Sequence, residues 1–237
     1  MTCKAAIQLS SLLLISLSCA SCAGLPRQHQ PACAGTLKLD PGESRQIVEV
    51  LPSGKAIFQA TLTAWSYEKG TWRRVCGPWS AVVGRNGFAP LAAKKEGDGM
   101  TPSGSYSIGL AFGKTPSLNT GLIYRQVTEE DVWVDDSASS QYNQWVRKPI
   151  QATSFEVMRR PDGLYDPGAV IEYNTHPVVA GRGSAIFIHV WRDSGRKPTA
   201  GCVALERTRL SHLLAWLNAY RHPVIVLGQA DNVLIVK

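Results

Sequence analysis

Two side chains in this sequence have the chemistry to make and break an acyl bond together: His189 and Cys202, thirteen residues apart (202 − 189). A free thiol has a pKa near ~8.5 and is mostly protonated at neutral pH. An adjacent imidazole takes that proton and yields a thiolate–imidazolium pair that attacks carbonyl carbon. What lies between the two suits such a pair. Residues 185–191 are apolar and rich in β-branched and aromatic types, as in a strand buried on both faces, and His189 sits near its end. Residues 192–198 are polar and punctuated by Gly195 and Pro198, so they form a loop. The loop delivers Thr199-Ala200-Gly201-Cys202, and an amphipathic helix follows. Gly201 permits a tight turn and leaves room beside the sulfur. Backbone N–H groups around Gly201 and Cys202 can face a developing oxyanion, where each good donor is worth roughly 3 kcal/mol. The imidazole needs an orienting partner, and the Val190 carbonyl and the Thr199 hydroxyl are both candidates. Taken singly, a buried cysteine is a small core hydrophobe and a strand histidine a satisfied core residue; it is the joint pattern that points to catalysis.

That pattern resembles the L,D-transpeptidase (YkuD-type) catalytic domain family, in which a strand histidine is followed by a loop and a Ser/Thr-x-Gly-Cys turn. His189, Thr199, Gly201 and Cys202 match it. Residues 96–106 (Glu-Gly-Asp-Gly-Met-Thr-Pro-Ser-Gly-Ser-Tyr) resemble the family's Gly-Asp-x-x-Thr-Pro-x-Gly turn. The likeness spans residues 79–228. Two positions depart from it. Ala200 stands where many members have His, and Ala204 where many have Arg or Asn. Arg192, three residues after His189, is a substitute anion contact, and the Gly-Cys-Val-Ala-Leu form marks a divergent branch. The resemblance implies a β-sandwich and a cysteine transpeptidase acting on peptidoglycan stem peptides, with Cys202 as nucleophile, His189 as general base and acid, and Gly201 as an oxyanion donor. It implies no metal and no organic cofactor. Thr199, Arg192, Tyr173 and Asn174 are the candidate substrate contacts. Two other readings stand beside it. With water as acceptor the same pair makes a peptidoglycan carboxypeptidase or amidase-type hydrolase, which the Ala204 departure motivates. A non-catalytic cell-wall-binding module suits export and basic charge. A papain-like protease has the reverse order, Cys before His.

The first 23 residues read as a signal peptide: Lys4 gives a positive start, residues 7–17 an apolar core, and Ser21-Cys22-Ala23 a small-residue cleavage site. Residues 19–22 also resemble a lipoprotein signal with Cys22 as the lipidated residue. The expectation is export to the periplasm or cell envelope, with a lipid anchor through Cys22 as a variant. No internal stretch has the length and apolarity of a membrane span. Residues 24–35 read as a linker and 36–237 as the catalytic domain. After cleavage Cys33, Cys76 and Cys202 remain, an odd number in an oxidising compartment. Pairing Cys33 with Cys76 leaves Cys202 free. Removing the signal's one lysine gives a mature charge of +6, from 24 basic minus 18 acidic residues. That excess is compatible with attraction to anionic wall polymers. The basic residues are scattered and no nucleic-acid reading motif occurs, which argues against nucleic acid as partner. No Cys/His grouping has zinc spacing.

The elements that must carry these residues are mostly strands. They are expected at residues 45–51, 56–68, 71–75, 79–83, 105–110, 169–174, 185–191, 224–227 and 233–236, with a hairpin turn at Glu68-Lys69-Gly70. Thr101-Pro102-Ser103-Gly104 has turn chemistry, so Asp98 belongs to a turn ahead of the next strand rather than to the substrate path. Residues 129–145 read as a solvated loop whose Tyr142 and Trp145 pack over the sheet or cap the cleft. The one clear helix spans residues 206–217, with Leu210, Leu213, Leu214 and Leu217 on one stripe. The sum is a mainly β, single sandwich-like domain with one strong amphipathic helix after the nucleophile turn.

Overall fold

The structure, a computed structural model, describes residues 42–54 and 56–228. Contacts divide the chain into Met1–Gly35, outside the described residues, and Thr36–Lys237. The signal, Cys22, Cys33 and the strand expected at 233–236 therefore lie outside the description.

Among the described residues the architecture is mainly β. Nine strands form one sheet in the order β12 (Val224–Leu227), β1 (Gln46–Pro52), β2 (Gln59–Glu68), β3 (Thr71–Val82), β11 (Val203–Leu205), β10 (Phe187–Val190), β9 (Gly168–Ile171), β4 (Gly104–Gly113) and β5 (Tyr124–Gln126). β12 also pairs with the start of β4, Val224 opposite Ser107 and Leu227 opposite Gly104, so the sheet closes on itself as a barrel-like sandwich. The interior follows from period-two patterning. Ala60, Leu62 and Ala64 of β2 point in, facing Ile188, Val203, Leu205 and the Leu210–Leu217 stripe in one buried cluster. Lys69 (φ 50°) and Gly70 (φ 81°) take the left-handed conformations that a tight hairpin demands.

Two expected strands, 71–75 and 79–83, are one. β3 runs through because a bulge absorbs the break: the register with β2 shifts on both sides of Ala64. Gly77 is required there, since a Cβ would lie 2.4 Å from the Leu62 carbonyl oxygen.

The helix α1 (Arg207–Trp216) packs Leu210, Leu213 and Leu214 into the core beside β9 and β10. Its end is capped by buried Gln46, which donates to the Trp216 carbonyl (2.7 Å) and accepts from Asn218 N–H (2.8 Å). It does not follow the nucleophile turn directly, because the three-residue strand β11 intervenes.

Residues 129–145 are only in part a solvated loop: 137–141 is largely exposed turn, while Tyr142 is buried and Trp145 packs against Phe112, as expected. β6 (Asp131–Val134) is fully buried and forms a second, three-stranded sheet between β7 (Trp145–Arg147) and β8 (Phe155–Val157). Asp131 is buried because donors surround it: Arg125 Nη2 (2.6 Å), Thr128 N–H (2.8 Å), Thr128 Oγ1 (2.7 Å) and Trp145 Nε1 (2.9 Å). These bonds, led among side chains by the Thr128 hydroxyl, outweigh burial and hold its pKa down at about 2.

Candidate active site

β10 and β11 run parallel with Ile188 opposite Val203, His189 opposite Ala204 and Val190 opposite Leu205. One step back, Cys202 lies level with Phe187, whose N–H donates to Sγ at 3.3 Å. By strand alternation Cys202 and His189 share a sheet face as diagonal neighbours, with Cα atoms roughly 8 Å apart for strands ~4.8 Å apart and a ~6.6 Å rise over two residues. Both line one cavity of about 420 Å³.

His189 is buried, and its Nδ1 lies 2.8 Å from the Val190 carbonyl. A carbonyl only accepts, so Nδ1 carries the proton and Nε2 is left as the proton acceptor. Of the two orienting partners open from sequence, the structure uses Val190. Thr199 does something else. Its hydroxyl donates to the Cys202 carbonyl (2.7 Å) and accepts from Gly201 N–H (3.2 Å), bracing the nucleophile turn. The Gly201 N–H is thus engaged within the turn. The Tyr165 ring packs edge-on against the imidazole at 5.2 Å.

Burial favours a neutral resting pair. The thiol donates to the Ala185 carbonyl at 3.2 Å, and among the described residues no hydrogen bond joins it to His189. Burial pushes the thiol up to about 12 and the imidazole down to about 4. Burial outweighs the nearby charges, Lys94 and Arg160 beside the thiol and Asp162 beside the imidazole, and favours the neutral form of both groups.

The turn at residues 96–104 packs directly behind the nucleophile. A Cβ on Gly201 would lie 3.0 Å from the Met100 carbonyl oxygen, and one on Gly84 would lie 2.3 Å from that of Gly99. Thr101 Oγ1 accepts from Gly84 N–H (2.9 Å). Asp98 is the turn residue that sequence suggests. It accepts from Lys95 N–H (2.8 Å), Met100 N–H (2.9 Å) and the Lys94 ammonium (2.7 Å). Lys94 is itself buried and reaches the cavity wall.

A family model for the L,D-transpeptidase catalytic domain (YkuD) matches residues 57–226, well over half of the chain. The chain belongs to this family. A search of curated proteins returned no match. Among solved structures, the helical cell shape determining protein Pgp2 from Campylobacter jejuni is similar at 17% identity and a TM-score of 0.42, covering 78% of this chain and 47% of that one. The chain thus spans about half the length of that protein.

On this L,D-transpeptidase domain, the structure brings Cys202, His189, Gly201, Thr199 and Arg192 to one cavity. Arg192 is half-exposed and 3.8 Å from Asp162. Tyr173 and Asn174 stand apart from that wall. β9 ends at Ile171, and the two residues lead into a loop. Tyr173 donates to the Arg182 carbonyl (2.6 Å) and packs edge-on to Tyr106, while Asn174 bonds Val179 and Gly183. Cys76 is a half-buried free thiol among the described residues, pushed up to about 11 by burial, and its expected partner Cys33 lies outside them. Tyr165, Glu156, Arg160, Asp135 and Glu96 line the cavity without having been singled out. Glu96 had a signal as the first residue of the Gly-Asp motif, and Asp135 as half of the Asp135-Asp136 pair, whose residue types suit an amine or a cation although the solvated-loop reading was preferred. The others are isolated polar residues around short strands, with no spacing to betray them.

Proposed function

We propose that this L,D-transpeptidase-family protein is an exported cysteine acyltransferase that remodels peptidoglycan stem peptides. The observation that carries the reading is the placement of His189 and Cys202 on one sheet face in one charged cavity. The thiol turns from Ala185 and gives its proton to His189 Nε2. The sulfur attacks the carbonyl at the L-centre of the stem's diamino acid. The tetrahedral oxygen takes its donor from the Cys202 N–H, since Thr199 holds that of Gly201, and His189 passes its proton to the departing amine of D-alanine, leaving a thioester. The amine of a second stem then attacks the thioester, loses a proton to His189, and releases Cys202.

The cavity wall supports a zwitterionic peptide. Its lining carries cations, among them Arg85, Arg192 and Lys197, and carboxylates, Asp135 and Glu156, a mixed charge that suits a peptide with both carboxylate and ammonium groups. Arg192 stands in for the anion contact that Ala204 lacks. We further read residues 1–23 as the export signal, with Cys22 as a lipid attachment point, residues 24–35 as a linker, and Cys33 with Cys76 as a disulfide.

The test is incubation of the protein with purified disaccharide-tetrapeptide, beside Cys202→Ala, with products read by mass spectrometry. D-alanine release with cross-linked dimers, both lost in the variant, is the expected outcome. Tripeptide without dimers makes water the acceptor and the protein a hydrolase. No product from the unmodified protein overturns both readings for this substrate.

A further inference from the structure

The acceptor of the nucleophile's proton in the resting protein is the carbonyl of Ala185, and Ala185 is held in a conformation that alanine disfavours. Its φ is +53°, in the left-handed region. Something must hold it there, and the bonds around it identify what. Ala185 N–H donates to Asn143 Oδ1 at 3.1 Å. Asn143 belongs to the turn between β6 and β7 of the small sheet and is buried. Its carboxamide is fully used: Oδ1 also accepts from Trp133 Nε1 (2.8 Å), and Nδ2 donates to the carbonyls of Tyr173 (3.1 Å) and Asn174 (2.7 Å). The preceding residue, Tyr142, accepts from Gly183 N–H (3.0 Å) and donates to Glu96 Oε2 (2.5 Å), which also accepts from Ser184 Oγ (2.7 Å). Two consecutive side chains of the small sheet therefore grip residues 183–185, which carry the thiol's acceptor.

From this geometry we infer that Asn143 is a positioning residue for the nucleophile: by fixing Ala185 in the left-handed conformation it aims the Ala185 carbonyl at the Cys202 thiol and keeps the sulfur protonated until substrate displaces that bond. The inference rests on Cys202 being the nucleophile of the proposed reaction, but its physical content, the control of thiol ionisation, is independent of substrate. The small sheet thereby acquires a role beyond covering the barrel. The burial of the thiol acts in the same direction as the Ala185 bond. The titratable and charged groups facing the sulfur are His189 on β10, Tyr165 ahead of β9, Glu156 on β8, Arg160 just after it, and Lys94 from the turn behind the nucleophile. None of them is altered in the variants below.

The experiment is the pH dependence of iodoacetamide alkylation of Cys202 in the full chain, read on the Cys202 peptide by mass spectrometry so that Cys76 does not interfere. Asn143→Ala frees Ala185 to leave the left-handed region. The alkylation midpoint then falls by at least about one unit, and the rate at pH 8 rises roughly tenfold, as thiolate fraction scales. In the double variant Asn143→Ala with Ala185→Gly, the positive φ no longer costs strain and is populated again, and the profile moves part of the way back toward that of the unmodified protein. A folded Asn143→Ala with an unchanged profile overturns the inference, as does a double variant that shows no return. If Asn143→Ala does not fold, Ala185→Val replaces it, since a β-branched residue rejects a positive φ; the same downward shift is expected and an unshifted profile overturns the inference. Inactivity of the unmodified protein on stem peptides touches only the proposed reaction and leaves this result standing.

Discussion

At the scale of single residues, the site is built from bonds that hold a neutral pair in place. Cys202 is pinned between Phe187 N–H and the Ala185 carbonyl, and His189 between the Val190 carbonyl and the Tyr165 ring. Thr199 contributes two bonds to the nucleophile turn. Thr199→Val keeps the volume and loses both, so kcat falls by about 10- to 100-fold with KM little changed, as expected when a preorganised turn loosens; steady-state kinetics on tetrapeptide fragments measure it. Tyr165 separates packing from polarity. Its hydroxyl reaches Glu156 only at 3.3 Å, while its ring packs among Phe112, Phe187 and the imidazole. Tyr165→Phe therefore changes kcat and melting temperature little. Tyr165→Ala leaves a hole beneath the imidazole and costs about 3–5 kcal/mol, read in denaturant unfolding. Equal effects from the two substitutions refute this division.

At the scale of elements, legibility in the sequence follows periodicity. β2 alternates over ten residues and α1 carries four leucines at helical spacing, so both were readable. The catalytic strand was readable too, but its start was not. Ala185 and Ile186 look like strand residues, yet Asn143, 42 residues away, captures Ala185 N–H and turns the backbone. β11 is only three residues long and hides between a turn and a helix. The small sheet is hidden from the sequence for a different reason: Asp131, Asp135 and Asp136 look like solvated loop, and nothing local announces that Arg125, Thr128 and Trp145 converge on Asp131. The same reasoning makes a prediction. Asp131→Ala strands Arg125 and the buried donors, and costs about 3–5 kcal/mol. Because the small sheet carries Asn143, the loss also exposes residues 127–158 and 183–187 to hydrogen exchange before the barrel strands. Uniform loss of protection across β1, β2 and β12 contradicts it.

At the scale of the whole molecule, the buried reactive pair sets the pH range of stability. His189 has its pKa depressed in the fold from the ordinary 6.5 to about 4. Above pH 6.5 neither state binds the proton. Between 6.5 and 4 the unfolded chain binds it and the folded chain does not, so stability falls as pH falls, by about 3 kcal/mol in all. Asp131, Asp98 and Asp162, also depressed, extend the loss to lower pH. Glu156 opposes it, because burial raises its pKa and the folded protein retains a proton that the unfolded chain releases. At the alkaline end burial raises the Cys202 thiol to about 12. The unfolded thiol ionises first, and stability declines above pH 9. Maximum stability is therefore expected between pH 6.5 and 9, with an acid limb dominated by a single imidazole. Calorimetric melting from pH 4 to 10 measures this curve. His189→Asn removes most of the slope between 6.5 and 4, and Cys202→Ala removes much of the alkaline one. An acid limb unchanged by His189→Asn means that the imidazole is solvated and charged in the fold, and that the neutral resting pair is wrong.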